Sequence, residues 1–297
     1  KTLLEITQEI PDENLSININ PDNKIEIKTD FGNYSIMGKT ANEFPEMPNV
    51  EDPITINMDK NELNDIIQDT LYAASKDEMK ISLQGVCLNV ENKNVTAVAT
   101  DGFRLVKRLS NTKEDNSFSG QVIIPSKFLT ILQSHLTNDE LELILCTNHI
   151  QINNGNTTLV SRIIREKYPD YESIIPSDND KIAILNKNDL FSAVKRVSIF
   201  SNRTTRQIAL TFDNNKVVVT TEDPENITSG HEEIICEYND EPLTIGFNAN
   251  YLKEMLNHQS SDDVYIKLKS SLGAGMIIPK EENPDKELLS LLMPIRI

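Results

Sequence analysis

The chain has 297 residues, a length that suits two or three domains of ordinary size better than one. Hydrophobic residues make up 38% and charged residues 25%, a balance that excludes a disordered or fibrous protein. The formal net charge is −17, which argues against a broad basic face for nucleic acid. Any contact with DNA is therefore expected to be local or topological.

The lack of a recognisable signal peptide and the placement of the cysteines indicate the cellular compartment. The opening residues, KTLLEITQEIPDEN, lack the apolar segment and cleavage site of a signal peptide, and no apolar run reaches the roughly 18 residues of a membrane span. Cys87, Cys146 and Cys236 lie far apart in apolar, strand-like runs and are predicted to be buried, reduced thiols. We expect a cytoplasmic protein without membrane association. The absence of an initiator Met suggests that the numbered chain begins inside a longer polypeptide.

An internal repeat is the main feature along the chain. Each copy has a strand-like run followed by apolar residues at i, i+3 and i+4, the pattern of an amphipathic helix. The copies, in chain order, are a weak one at Leu3 and Ile6 and full ones at Leu63, Ile66 and Ile67, at Phe128, Ile131 and Leu132, at Leu190, Ala193 and Val194, and at Leu252, Met255 and Leu256. They recur about every 62 residues, so five short helices are predicted.

Between these helices, apolar and polar residues alternate and the chain turns on Asn, Asp and Gly. This pattern predicts antiparallel hairpins with one buried face. The runs are LSININPDNKIEIKT, VCLNVENKNVTAVAT, LELILCTNHIQINNGNTTLV, IALTFDNNKVVVTTE and VYIKLKSSLGAGMIIP. The predicted fold class is α+β, built from repeated helix-plus-antiparallel-sheet units.

Two Pro-rich segments predict the domain boundaries. They span residues 43–53 and 167–180, and Pro45 and Pro169 are two repeat lengths apart. We expect boundaries near residues 50 and 177. The predicted domains are 1–50, 51–177 and 178–297, each of two repeat units except the first, which is half present.

Catalytic and metal-binding patterns are weak. The four histidines, His135, His149, His231 and His258, are dispersed, without Cys or His at metal-ligand spacing. Asp101 and Asp170 are predicted to cap turns, and Gly273 to Gly275 to mark a bulge or close backbone approach in a strand. We therefore expect no enzyme activity, metal or cofactor.

Two segments are candidates for binding. In VATDGFRLVKR a strand ends at a Thr-Asp-Gly turn that is predicted to expose Phe103 and Arg104, although a plain hairpin would explain the same pattern. The C-terminal run LLMPIRI is apolar where chain ends are usually polar. It fits either a last edge strand or one wall of a hydrophobic groove.

Together the repeat, VATDGFRL, YPDY at 168–171, FSAVKRVSIFSNRTTRQIAL, IGFNANYLKEML and the terminal LMPIRI resemble the bacterial sliding clamp family, the beta subunit of DNA polymerase III. The resemblance extends over the whole chain. Members of this family have three domains of two repeat units each, and the first of these six units is missing here. It implies a closed ring of two head-to-tail subunits, with helices around a central hole and sheets outside. A processivity factor of this kind encircles duplex DNA without reading its sequence. It tethers the replicative polymerase catalytic subunit, the clamp loader and other clamp-binding-motif proteins.

The resemblance also implies a peptide groove between the second and third domains. Its residues would be Leu83, Thr100, Gly102, Phe103, Arg104, Leu105, Pro169, Ser173, Ile174, Asn248, Tyr251, Leu291, Met293, Pro294, Ile295 and Arg296. These segments combine apolar walls with a few polar tips, as peptide sites do. Phe103 and Ser173 stand where the family often has polar or basic residues.

Helix faces and edge strands supply the other implied contacts. Residues expected to face DNA are Lys127, Lys195, Arg196, Arg203, Arg206 and Lys253, although acidic Asp59, Glu62, Asp65 and Asp69 count against a uniformly basic lining. Tyr34 and Ile36 would meet Ile199 and Phe200 of a second subunit. We expect the full-length protein to be a homodimer. This chain is expected to be mainly monomeric or weakly dimeric, with residues 1–50 less ordered than the rest.

Two other classes of protein compete with the clamp. An acidic, β-rich interaction scaffold without a role on DNA predicts no cationic clustering on helix faces. A hydrolase with an unrecognised site predicts turnover of a substrate.

Overall fold

The computed structural model describes residues 1–11, 14–44, 46–48, 53–112, 115–136, 140–281 and 286–297. The chain forms two compact units, residues 1–49 and 50–297. Pro45 and the residues around the boundary predicted near residue 50 lie outside the described part.

The smaller unit is one helix and one three-stranded antiparallel sheet. Its elements are α1 (Thr2–Glu9), β1 (Ser16–Ile19), β2 (Lys24–Lys28) and β3 (Asn33–Met37), with the sheet in the order β1-β2-β3. Among the described residues of this unit, only Ile27 is buried. Burial of apolar side chains therefore contributes little to the stability of this unit.

The larger unit repeats the same parts. Its helices are α2 (Lys60–Thr70), α3 (Ser126–Gln133), α4 (Lys187–Val197) and α5 (Ala249–Asn257). Its strands are β4 (Ile54–Asp59), β5 (Gly85–Glu91), β6 (Asn94–Thr100), β7 (Arg104–Asn111), β8 (Gly120–Pro125), β9 (Glu140–Leu145), β10 (His149–Asn154), β11 (Thr157–Arg162), β12 (Lys181–Asn186), β13 (Gln207–Asp213), β14 (Lys216–Asp223), β15 (Thr228–Ile235), β16 (Leu243–Asn248), β17 (Asp263–Leu268), β18 (Gly275–Pro279) and β19 (Lys286–Leu292). The predicted α+β class is confirmed.

The described residues of this unit form three sheets. Two have four strands, in the orders β11-β10-β9-β4 and β15-β14-β13-β16. The third has eight, in the order β12-β17-β18-β19-β7-β6-β5-β8. Its central pair, β7 and β19, runs antiparallel from Arg104 opposite Leu292 to Ser110 opposite Lys286. β7 and β19 are thus neighbours in the sheet although they lie far apart in the sequence.

Apolar side chains form cores on both faces of the eight-stranded sheet. The main core lies between the sheets and helices α2 to α5 and contains most of the predicted helix residues. Ile131 is an error of that prediction, because it is 41% exposed and Leu129 is buried in its place. The second, smaller core includes Leu105, Tyr168 and Leu291.

The cysteine prediction needs one correction. Cys87 and Cys236 are buried free thiols, but Cys146, which follows the last residue of β9, is only partly buried. The hairpin turns agree with the pattern of the sequence. Asn92 and Asn214 take positive φ angles of 53° and 47° at the turns that join β5 to β6 and β13 to β14.

Candidate functional site

A cavity of about 370 Å³ opens at the end of the central strand pair. It is formed by the turn before β7, the loop before β12, the start of β18 and the chain after β19. The lining residues are Thr100, Gly102, Arg104, Leu105, Ile174, Pro176, Ala274, Leu291 and Met293. Segments far apart in sequence thus build one mainly apolar depression.

The turn that shapes one wall is fixed by its own side chains. The Asp101 Oδ1 atom accepts hydrogen bonds from the backbone N–H of Phe103 at 2.9 Å and of Arg104 at 3.1 Å. Gly102 has a φ of +92°, a conformation that glycine adopts without strain. Lys80 Nζ donates to the Asp101 carbonyl at 2.9 Å. The prediction that Asp101 caps a turn is confirmed.

Arg104 is buried, contrary to the expectation that the turn exposes it; its side chain is 6% exposed. The guanidinium pairs with Asp101 at 3.1 Å and with Glu254 of α5, and it donates to the Tyr72 carbonyl at 2.7 Å. It also lies over the rings of Tyr72 and Tyr251, at 5.2 and 4.6 Å from the centroids. Apart from Asp101, these partners come from distant segments, which local sequence cannot reveal.

Phe103 lies at the rim of the cavity and is 56% exposed. Its ring stacks on Tyr251 with centroids 6.1 Å apart, and Lys80 Nζ lies 5.3 Å from its centroid. Its carbonyl accepts a hydrogen bond from Met293 N–H at 2.9 Å. The rim therefore offers an aromatic surface beside a cation.

The apolar tail is held by backbone hydrogen bonds. β19 is not an edge strand, because it lies between β18 and β7. Beyond it, Ile295 N–H donates to the Gly246 carbonyl at 2.8 Å. A Cβ at Gly246 would lie 2.5 Å from the Ile295 carbonyl oxygen, so glycine permits this close approach. Met293 is thereby held at the cavity with its side chain 43% exposed.

The implied groove residues are only partly brought together at the cavity. Seven line it: Thr100, Gly102, Arg104, Leu105, Ile174, Leu291 and Met293. The lining does not include Leu83, Phe103, Pro169, Ser173, Asn248, Tyr251, Pro294, Ile295 and Arg296. Of these, Leu83 is in the second core, and Asn248 caps α5 by accepting from Asn250 and Tyr251 N–H.

Three residues at this site were missed from the sequence. Pro176 and Ala274 line the cavity, and Lys80 contacts the turn. The sequence did contain an indication for Ala274, because this residue lies between the two glycines that were predicted to mark a close backbone approach. That approach is real at Gly275, where a Cβ would lie 2.9 Å from the Phe247 ring.

Basic side chains gather where α4 meets α5. Burial lowers the pKa of Lys253, and the nearby charges of Arg206 and Lys195 lower it further. Lys253 Nζ also donates to Ser198 Oγ at 3.3 Å. Lys195, Arg206 and Lys253 therefore form a small positive patch, which the nearby carboxylate of Glu254 partly offsets.

The other predicted DNA-facing residues differ in whether an acidic side chain of the protein pairs with them. Arg196 makes a two-pronged ion pair with Glu232 of β15, at 2.8 and 2.6 Å. Its charge is therefore largely matched within the protein. Lys127 on α3 and Arg203 after α4 are exposed.

The acidic residues of α2 have partners within the protein. Asp59 caps the helix by accepting from Asn61 N–H at 2.8 Å. Asp65 and Asp69 both pair with Arg108 of β7, and Lys286 of β19 pairs with Asp65 at 2.9 Å. Much of the acidic charge near residues 60–70 is therefore neutralised by cations of the eight-stranded sheet.

Glu62 is the exception on this helix. It is 8% exposed, and its Oε1 atom has no hydrogen-bond partner among the described residues. Burial raises the pKa of its carboxyl to about 7, against an ordinary 4.5, although Lys286 acts in the opposite direction. The neutral form is thus favoured in the folded chain.

We expect Glu62→Gln to remove a pH dependence of stability. The folded chain binds the Glu62 proton more tightly than the unfolded chain does, so this stabilisation is complete below pH 4.5 and is lost as pH rises through about 7. At pH 8 the variant should exceed the parent in free energy of unfolding by at most about 3 kcal/mol. Urea denaturation across this pH range measures the difference. Glu142→Gln, at an exposed position, is the control, and equal pH profiles for Glu62→Gln and the parent would contradict the assignment.

In the described ranges, no group of three or more His, Cys, Asp or Glu side chains is placed to hold a metal ion. Across the same residues, no helix is both long enough and apolar enough to cross a membrane.

Comparison with known proteins identifies the fold. Family models for the central and C-terminal domains of the DNA polymerase III beta subunit match residues 57–170 and 172–296. The beta sliding clamp of Pseudomonas putida is 28% identical over 300 residues, covering 100% of this chain and 80% of the relative. A Pseudomonas aeruginosa DNA polymerase III beta subunit structure has a TM-score of 0.87 at 27% identity, covering 100% of this chain and 81% of its own. A Bacillus subtilis sliding clamp, with a TM-score of 0.88 at 23% identity and covering 100% of this chain and 78% of its own, supports the fold alone.

The repeated helix-and-sheet units and these likenesses define a DNA clamp. The chain belongs to the DNA polymerase III beta subunit family, the beta sliding clamps. It is a processivity factor without a catalytic role, and the alternatives of a scaffold and a hydrolase are not favoured.

Proposed function

We propose that the cavity beside Met293 binds short linear peptides of the replicative polymerase, the clamp loader and other clamp-binding-motif proteins. One observation carries this proposal: four segments from different parts of the chain converge on an open, mainly apolar depression of about 370 Å³. That volume suits one or two apolar side chains of an extended peptide. Calorimetric titration of a clamp-binding peptide into the parent chain and into a Met293 variant tests it.

The polar groups around the cavity would orient such a peptide. The aromatic rim at Phe103 and the cation of Lys80 lie on one side, and the backbone of the tail lies on the other. Apolar burial would supply most of the affinity, while these groups would fix direction.

We further propose that the chain encircles duplex DNA, with the helices facing it. The patch of Lys195, Arg206 and Lys253 supports this, because a few cations suffice for sequence-independent phosphate contacts. Lys127 and Arg203 would add to the surface, and Arg196 would contribute less because Glu232 holds it. An acidic exterior would discourage other contacts with DNA.

The domain organisation is proposed on the same basis. Residues 51–177 and 178–297 would be the second and third clamp domains, and residues 1–50 would be the second half of the first. The change from one family match to the next between residues 170 and 172 supports a boundary in this region. We place the protein in the cytoplasm, a location that suits its three free thiols.

Ring closure is proposed to join Tyr34 and Ile36 of one subunit to Ile199 and Phe200 of another in the full-length homodimer. Ile199 is 74% exposed and Phe200 45%, at the end of α4, where the carbonyl of Phe200 accepts from Thr228 Oγ1 of edge strand β15. Apolar side chains beside a free strand edge suit association with another chain.

If this edge closes the ring, Phe200→Asp should weaken subunit association, because a carboxylate would be buried in an apolar contact. The expected effect on the dimer dissociation constant is at least about tenfold. Analytical ultracentrifugation of the full-length protein over a concentration series measures it. Leu272→Asp, at an exposed turn before β18, is the control. A dimer equally stable in both variants would rule out this interface.

A further inference from the structure

We propose that Asn179, a residue outside the cavity lining, positions one wall of the cavity for peptide binding. This wall, residues 172–176, precedes β12 and contributes Ile174 and Pro176 to the lining. Asn179 ties it to Ala274, which lines the cavity from a position just before β18. The inference rests on the proposed peptide function and names a residue on which its affinity depends.

The side-chain amide of Asn179 bonds to both strands of one hairpin. Its Nδ2 atom donates to the Lys267 carbonyl of β17 at 3.0 Å and to the Ala274 carbonyl at 3.0 Å. An amide NH2 group has two hydrogens, so both bonds form at once. Because Asn179 lies three residues after Pro176, this pair of bonds limits how far the wall can move from the sheet.

The hydrogen bonds inside the wall are local. Among the described residues, Ser173 Oγ donates to the Asp170 carbonyl, and the N–H groups of Ile174 and Ile175 donate to the carbonyls of residues 171 and 172. The side chain of Ile175 packs against the second core. An apolar contact has no preferred direction, so it keeps the wall near the sheet without fixing where Ile174 lies.

The other end of the wall is anchored differently. Tyr171 is buried in the second core, and Lys107 Nζ of β7 pairs with Glu172 at 2.7 Å. The Glu172 side chain is 57% exposed, so water and salt weaken this ion pair. The bonds of Asn179 are between neutral groups, which salt screens little, and they act at the end of the wall nearer to Pro176.

Without the Asn179 bonds the wall can take positions that do not close around a peptide side chain. The peptide then binds only the fraction of molecules in which the wall is in place, and its apparent affinity falls by that fraction. Two neutral hydrogen bonds of ordinary strength correspond to a change of about tenfold or more.

The test compares two versions of one clamp-binding peptide, with Leu or Ala at the residue that enters the cavity. Asn179→Ala should weaken the Leu peptide about tenfold and the Ala peptide less than about twofold, because an Ala side chain makes little contact with the wall. A purely structural role, in which the substitution only lowers the folded fraction, would weaken both peptides by the same factor. Calorimetric titration measures both affinities.

Asn179→Asp is the second variant, in case Asn179→Ala folds poorly. It keeps the shape of the side chain, but a carboxylate cannot donate to the two carbonyls and is repelled by them. The same selective loss of the Leu peptide is expected at pH 7. Glu172→Gln should give a smaller selective loss that shrinks at high salt. Asn188→Ala, at an exposed position of α4, is the matched control and should change neither affinity.

The outcomes separate the two proposals. If the Leu peptide binds the parent chain and the Asn179 variants either keep its affinity or weaken both peptides equally, Asn179 is not a positioning residue and the groove remains. If the Leu peptide does not bind the parent chain, the groove itself is wrong and this inference falls with it.

Discussion

Removing residues 293–297 should weaken binding of a clamp-binding peptide by at least about tenfold, since burying a Met side chain is worth about 1.5–3 kcal/mol. Met293 lines the cavity, and its position depends on the hydrogen bonds of the tail to Phe103 and Gly246. Met293→Ala should lose part of this affinity while it keeps the backbone bonds. Calorimetric titration of the same peptide into each variant measures both losses.

The matched control for this experiment is Met37→Ala, which removes a 73% exposed Met side chain from β3 of the smaller unit. It should leave peptide affinity unchanged. Thermal denaturation of the larger unit would show whether the truncated chain keeps its fold. A truncated chain that is folded and binds the peptide with parental affinity would contradict the groove assignment.

Charge reversal of Lys127, Lys195 and Lys253 to Glu is expected to reduce sequence-independent binding to duplex DNA. Each lost phosphate contact should reduce the magnitude of the slope of log affinity against log salt by roughly 0.9. The slope of the triple variant should therefore be smaller in magnitude by up to about three. Fluorescence anisotropy with a labelled duplex over a salt series gives the slope. Retention on circular primed DNA after loading reports the same loss in a functional setting.

Reversal of Lys76, Lys93 and Lys167 makes the same change in net charge at exposed loop positions and is the control. The slope should then stay close to that of the parent. Because Arg196 is held by Glu232, reversing it alone should have less effect than reversing Lys195. If the first triple variant loads and slides as the parent does, the helices do not face DNA as proposed.

Local structure was predictable because the helix and hairpin patterns depend on neighbours in sequence. All five helices are present, and Leu63, Val194 and Leu256 are buried as their spacing indicates. Ile131 was predicted to be buried, but α3 buries Leu129 instead, a choice that depends on packing and not on periodicity. The turns on Asn were also readable, since Asn tolerates positive φ.

The candidate site was less predictable, because its parts meet only in three dimensions. The tail and the Thr-Asp-Gly turn stood out as unusual, yet nothing in either shows that Met293 N–H bonds to the Phe103 carbonyl. Arg104 follows a turn and so was expected to be exposed, but Glu254 and two rings from distant segments bury it. Long-range partners of this kind have no signal in one sequence.

The position of β19 between β18 and β7 also governs when the cavity can exist during synthesis. A ribosome makes β7 long before it makes β19, and until then one edge of β7 has no partner in the eight-stranded sheet. Such an edge is prone to wrong pairing, and the contact that repairs it is slow because a long loop must close. Since Leu291 and Met293 arrive with that same strand, a nascent chain cannot offer the finished cavity to a peptide. Completion of the fold and competence to bind are thus acquired in a single step.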